Sequence, residues 1–233
     1  MQQPNDAEIA AVAQRLLVPL SVTFSDVPYE RKGVHYSDVL FLLACTEGQP
    51  RRRVVESGRA RGQSTLLLSM ALPDSQLISV EIDSTSEDVP IAEARLSTRR
   101  NVHTVFGDSR RVIPSLLEWG DIVLIDGPKA YRSVRFALVL LQTGKLRGVF
   151  VHDLYSGASY RRFVERWMPE AVFSDSEEFM EVAHSINRGI AGPDSCLAYI
   201  PRVEGRQYWA LRLMARFEEL AGSLARRTQV LKR

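Results

Sequence analysis

The chain is predicted to be an α/β domain organised on a mostly parallel sheet, and three observations carry that expectation. From Arg53 onward short β-branched runs alternate with amphipathic segments, the pattern that βα units leave in a sequence. With 233 residues, 45% of them hydrophobic, the chain is long enough to bury one sizeable core. No apolar run, "VLFLLAC" and "FALVLL" included, reaches the ~18 residues of a membrane span.

Taken in order, residues 6–17 and 36–45 read as helices joined by a polar stretch with Pro28 and Gly33. Strands are expected at 54–56, 77–82, 102–106, 122–126 and 149–153, where β-branched runs are bounded by turn residues. Helices are expected between them at 64–72, 89–97, 109–119, 133–141 and 158–167. Two later strands fall near 171–174 and 197–200, separated by the irregular "DSEEFMEVAHSINRGIAGPD", too long for a plain hairpin loop. The tail from Gly205 places Leu213, Phe217, Leu220, Leu224 and Leu231 on one helical stripe. That stripe either packs on its own domain or forms the seam of a homodimer. Three regions follow: an N-terminal helical segment over 1–52, a lid candidate; a central domain over 53–204; and a C-terminal amphipathic helix over 205–233.

A formal net charge of +2 requires neither a nucleic acid nor a membrane as partner. Only four of the 30 basic residues are lysine, which fits either a compositional bias towards arginine or recognition of anions. Cys45 and Cys196 have no His or Cys beside them at metal-binding spacing and read as buried thiols of a reducing compartment. The opening "MQQPNDAEIA" lacks the basic and apolar regions of a secretory signal, so a cytoplasmic protein is expected.

In an open α/β sheet, ligands bind beyond the carboxyl ends of the strands. Five successive predicted strands deliver acids there: Glu56, then Glu81 with Asp83, then Asp108, Asp126 and Asp153. Carboxylates gathered on one rim repel one another and lose solvation unless a ligand with donors or positive charge compensates them. An adenosine-containing sulfonium amino acid meets that requirement. Its ribose diol would bond Glu81, and its ammonium and sulfonium would sit near Glu56 and Asp126. In "VVESGRARGQSTLLLS" Gly58 and Gly62 let the backbone approach a ligand, and Ser64 can cap the helix that follows. The spacing is neither G-x-G-x-x-G nor a P-loop, so a diphosphate is not the expected ligand.

The segments "VVESGRARGQSTLLLSMA", "LISVEID", "VFGDSR", "DIVLIDGPKAY" and "GVFVHDLY", in that order, resemble the class I S-adenosylmethionine-dependent methyltransferases over about residues 53 to 155. Within that class they are most similar to the small-molecule O-methyltransferases of the catechol and caffeoyl type and to the cephalosporin-hydroxylase-like group. The resemblance implies a Rossmann-like fold with seven strands, the last antiparallel, and helices on both faces. It places the S-adenosylmethionine over Gly58 and Gly62, its ribose on Glu81 and its adenine edge near Asp108 and Ser109. In metal-using members the acid ending strand four and an Asp-Asn pair ending strand five hold a divalent cation such as Mg²⁺. Asp126 and Asp153 match those acids, but Leu154 stands where the Asn would be.

Methyl transfer to a hydroxyl needs alignment and a base. Lys129, beside Asp126, is the family-matched candidate, and His152 is the alternative because its ordinary pKa lies closest to neutrality. Each has a bland reading, a solvated lysine and a core histidine. Tyr131, Tyr155 and Tyr160 either line an acceptor pocket or pack, and His184 and Arg188 could close over a substrate. The resulting expectation is a cytoplasmic methyltransferase acting on a hydroxyl oxygen of a small molecule. The alternatives are transfer to a nitrogen of a natural product, nucleoside or tRNA, and a non-catalytic assembly module on the same fold.

Overall fold

The computed structural model describes residues 5–30, 33–50, 53–187 and 196–230, with side chains through Leu224. Seven strands, β1 (Arg53–Ser57), β2 (Gln76–Glu81), β3 (Val102–Phe106), β4 (Ile122–Ile125), β5 (Gly148–His152), β6 (Val172–Phe173) and β7 (Leu197–Pro201), form one sheet in the order β3-β2-β1-β4-β5-β7-β6. The first five pair in parallel, and β7 runs antiparallel to both β5 and β6. The order of connections reverses between β1 and β4, which is where a doubly wound sheet opens its ligand crevice.

Alternation along each strand divides the core into two layers. Val55, Ile78, Val80, Val123, Ile125, Val149 and Val151 face one side. There they meet α5 (Ser109–Leu116), α6 (Tyr131–Gln142), α7 (Ser159–Trp167) and α9 (Tyr208–Val230). Val54, Leu77, Ile122, Leu124 and Phe150 face the other side. There they meet α1 (Asp6–Thr23), α2 (Tyr36–Cys45), α3 (Gln63–Ala71) and α8 (Glu177–Ala183). The remaining helix, α4 (Asp88–Leu96), packs beside α3. β3 is the sheet edge, and His103 and Thr104 are exposed on it.

The N-terminal helices belong to this core. Every residue of α2 from Ser37 to Cys45 is buried, with Phe41 set edge-on against Phe150 and Phe179. A capping box between Asn5 and Glu8 starts α1, which continues through Pro19 to Thr23, past the end expected at residue 17. α5 stops at Leu116, short of Trp119, because Leu117 turns extended. The segment read as irregular contains α8, whose Phe179 and Ala183 pack into the core next to Phe41. Residues 188–194 of that segment, Arg188 among them, and Leu231 lie outside the described residues.

The C-terminal helix departs from one of its expected readings. α9 packs on α6 through Tyr208, Leu211 and Ala215, whereas Leu213, Phe217, Leu220 and Leu224 are 49%, 69%, 45% and 63% exposed. The stripe seen in the sequence therefore does not pack on its own domain. No helix among the described residues is long and apolar enough to cross a membrane.

Candidate active site

Gly58 and Gly62 shape the turn at the switch point. Gly58 has φ +91°, and a Cβ there would stand 3.0 Å from the amide nitrogen of Gly127, so the turns after β1 and β4 approach as closely as backbones can. Gly62 has φ +75° and precedes α3, and a Cβ there would stand 3.3 Å from Leu96 and 3.4 Å from Ala92 of α4.

Two cavities flank this turn. The smaller, about 260 Å³, is lined by Gly58, Glu81, Ile82, Asp108, Ser109 and Gly127, among others. It gathers the glycine, ribose and adenine-edge positions expected from the sequence. The larger, about 610 Å³, is lined by Glu30, Val34, Arg59, Gln63, Ser64 and Asp126, among others. Asp126 and Gly127, neighbours in the chain, put the two cavities side by side.

The acids of the rim are present but not bare. Glu56 has the parity of Val54 and so points at α3, not at the crevice. Its buried carboxylate accepts the hydroxyls of Ser64 and Thr65, and that of Ser79 at 2.6 Å. Burial raises its pKa above the ordinary value even with those bonds. The expectation that Glu56 faces the positive end of a ligand is corrected accordingly, and Ser64 serves Glu56 while Gly62 occupies the N-cap. Glu81 Oε2 accepts the backbone N–H of Arg59 at 3.1 Å and of Ala60 at 2.8 Å, and Oε1 accepts that of Ile82 at 2.7 Å. Asp83 closes its own turn onto Thr85. Asp108 caps α5 and grips Arg110 in two places, at 2.9 and 2.7 Å, which holds its pKa below the usual carboxylate range.

The ends of β4 and β5 bring four of the expected residues together. Lys129 Nζ lies 2.6 Å from Asp126 Oδ1 and 2.6 Å from Asp153 Oδ2. His152 Nδ1 lies 2.8 Å from Asp126 Oδ1 and 3.2 Å from Asp153 Oδ1. Tyr155 donates its hydroxyl to Asp153 Oδ1 at 2.6 Å. Burial works against every charge here, yet the pairing overcomes it. Asp126 and Asp153 are held below their ordinary values, Lys129 is held above its own, and His152 is held well above its own.

Asp38 of α2 completes the cluster, and sequence reasoning missed it. It is buried, accepts the backbone N–H of His35 at 2.9 Å and reaches to 3.5 Å from His152 Nε2. The available signal was an acid at the third position of a helix start, "HYSD", which reads as capping alone. Arg59 was missed too. It is buried with its guanidinium 5.0 Å from the centre of the Phe106 ring. Tyr131 and Tyr160 pack edge-on against each other, with Tyr131 donating to Glu218, so of the three tyrosines only Tyr155 joins the cluster. His184 is exposed at the end of α8 and lines neither cavity.

A divalent cation does not fit this arrangement. Asp126, His152 and Asp153 offer ligand atoms within 4.8 Å of one another. The carboxylates are already engaged by Lys129, His152 and Tyr155, and the third oxygen ligand is replaced by the apolar, fully buried Leu154. Mg²⁺ is held through carboxylate oxygens, and both that are present are neutralised by the Lys129 ammonium and the His152 ring.

Comparison with known proteins agrees with the fold. Residues 55–153 match the family model described as "Methyltransferase domain". The solved structure of cofactor-bound Rv0187 from MTB is similar at 21% identity, covering 86% of this chain and 99% of that one, with a TM-score of 0.53. The O-methyltransferase TomG from Streptomyces achromogenes, involved in tomaymycin synthesis and solved with S-adenosylmethionine, is 20% identical over 87% of this chain and 92% of its own, with a TM-score of 0.51. The O-methyltransferase from Bacillus cereus in complex with S-adenosylhomocysteine is 14% identical over 82% and 90%, with a TM-score of 0.50. No curated protein matches the chain in sequence. With the switch point, the glycine turn and the acid ending β2 in place, this chain matches a methyltransferase-domain model over residues 55–153 and resembles the class I S-adenosylmethionine-dependent methyltransferases in fold.

Proposed function

We propose that this protein transfers a methyl group from S-adenosylmethionine to a hydroxyl oxygen of a small-molecule acceptor. One observation carries the reading: the cavity lined by Gly58, Glu81, Asp108 and Ser109 reaches Gly127 and Pro128, which stand in the chain between Asp126 and Lys129 of the cluster they form with His152 and Asp153. A nucleoside in the first would present its reactive end to an acceptor at the second.

When bound, S-adenosylmethionine supplies an electrophilic methyl carbon, and the chain's task is then to align donor and acceptor. Oε2 of Glu81 is taken up by the backbone N–H groups of Arg59 and Ala60, and Oε1, which accepts that of Ile82, is the oxygen with acceptor capacity for a ribose hydroxyl. Gly58, with no side chain, leaves the turn open to the ligand. In this reading Lys129 and His152 do not act as bases. The surrounding carboxylates keep both protonated, so Lys129 presents an N–H group to an acceptor oxygen and stabilises negative charge on it, while His152 holds the two carboxylates from the buried side. A hydroxyl placed there ionises more readily, and the half-exposed Lys129 leaves a route for its proton to solvent.

Calorimetry with S-adenosylhomocysteine, followed by transfer of labelled methyl to a panel of hydroxylated acceptors, tests the proposal. Folded protein that binds no S-adenosylhomocysteine retires it in favour of an assembly role.

A further inference from the structure

The cluster between β4 and β5 already contains a cation, and its geometry bears on the acceptor. Lys129 Nζ sits equidistant from Asp126 and Asp153, at 2.6 Å from each. His152 bridges the same two carboxylates from the buried side. A metal ion entering between them would have to displace the ammonium from both contacts while gaining no ligand from Leu154. We propose that the Lys129 ammonium stands permanently in the place of a divalent cation, and that the acceptor consequently offers it a single oxygen, not a chelating pair of adjacent oxygens.

The second half follows from counting donors. A divalent cation with open coordination positions can hold both oxygens of a vicinal diol. An ammonium has three N–H donors. Asp126 and Asp153 take two of them, which leaves one for a ligand. Lys129 is half-exposed, so that remaining donor is reachable from the crevice. His152 is buried, with Asp126, Asp153 and Asp38 around it, and does not add a second exposed donor. The acceptor half rests on the methyltransferase reading above, whereas the ammonium half stands on the cluster alone.

The test is a titration of the whole protein with Mn²⁺, read by the loss of the free-ion paramagnetic resonance signal. Wild-type protein is expected to bind none below about millimolar concentration. Lys129→Ala, and Lys129→Met should the first not fold, is expected to bind Mn²⁺ at least tenfold more tightly than wild type, since the two carboxylates lose their cation. Stoichiometric binding by wild type at micromolar Mn²⁺, abolished in Asp153→Asn, overturns the ammonium half, as does a folded Lys129 variant with no gain. The wild-type titration decides the matter even if neither variant folds. For the acceptor half, labelled S-adenosylmethionine is offered with matched monohydroxy and vicinal dihydroxy aromatics, with chelator or with Mg²⁺. Transfer to the monohydroxy compounds, unchanged by chelator, is expected. Transfer confined to the diols, transfer that needs Mg²⁺, or none at all overturns it. Binding of S-adenosylhomocysteine, measured separately, distinguishes failure of this half from failure of the methyltransferase reading.

Discussion

The carboxylate of Glu81 accepts the backbone N–H of Ala60 at 2.8 Å, so the acid that ends β2 holds the glycine turn that follows β1. Glu81 also lines the smaller cavity, where a ribose hydroxyl would bond its Oε1. Glu81→Ala is expected to weaken S-adenosylhomocysteine binding by about 1.5–3 kcal/mol, the worth of hydrogen bonds to a charged group. Calorimetry at one salt concentration reads this directly. An unchanged dissociation constant would place the ribose elsewhere.

Glu56 is predicted to matter for stability first. Its carboxylate is the shared acceptor for Ser64, Thr65 and Ser79, and removing it takes away the Ser64 hydroxyl's bond and leaves Thr65 and Ser79 only each other at 3.1 Å. Glu56→Ala should lower the unfolding free energy by at least about 1–3 kcal/mol, measured by urea denaturation. The folded variant should keep its S-adenosylhomocysteine affinity within about tenfold; a larger loss with little change in stability would return Glu56 to the ligand site.

The cluster at β4 and β5 predicts a dependence of stability on pH. Burial opposes the charge on His152, but Asp126, Asp153 and Asp38 raise its pKa well above 6.5. A raised folded pKa means that its contribution is complete below 6.5 and is lost as pH climbs through the raised value. Asp126 and Asp153 are lowered from 3.8, so theirs is present above 3.8 and is lost as pH falls through the lowered values. His152→Gln should therefore cost most between pH 3.8 and 6.5, about 3–5 kcal/mol for a broken buried pair, with the gap to wild type narrowing at alkaline pH. Melting temperatures of both proteins across pH 4 to 10 check this, and a gap that widens with pH would contradict it.

Glu30 ties the connection between α1 and α2 to the turn after β1, to α3 and to α4. It pairs with Arg61 at 3.0 Å and with Arg95 at 2.8 Å, and the backbone N–H of Glu30 donates to Gln63 at 3.1 Å. Glu30→Ala is predicted to speed amide exchange at Gly33, whose N–H bonds the Glu30 carbonyl, while protection of β1 and β4 stays as in wild type. Exchange at Gly33 equal to wild type would mean that the clamp does not hold the segment.

Most of the framework was legible in the chain because its cause is local. β-branched runs of period two and amphipathic stretches between them place the five βα units, and they put Glu56, Glu81, Asp108, Asp126 and Asp153 near strand ends whatever the rest of the molecule does. The partner of each acid was not legible, because partners come from elements distant in sequence. Glu56 meets Ser64, Thr65 and Ser79 only once α3 and β2 pack around β1. Asp38 meets His152 only because α2 is driven into the core by its apolar residues. The family resemblance offered Lys129 as a base beside Asp126; the second carboxylate against its ammonium, Asp153, is brought alongside only by the pairing of β4 with β5. The apolar stripe of α9 was written in its periodicity, yet which face of that helix is buried was decided by α6, since packing selects the surface that fits a neighbour and not the one that is most regular in sequence.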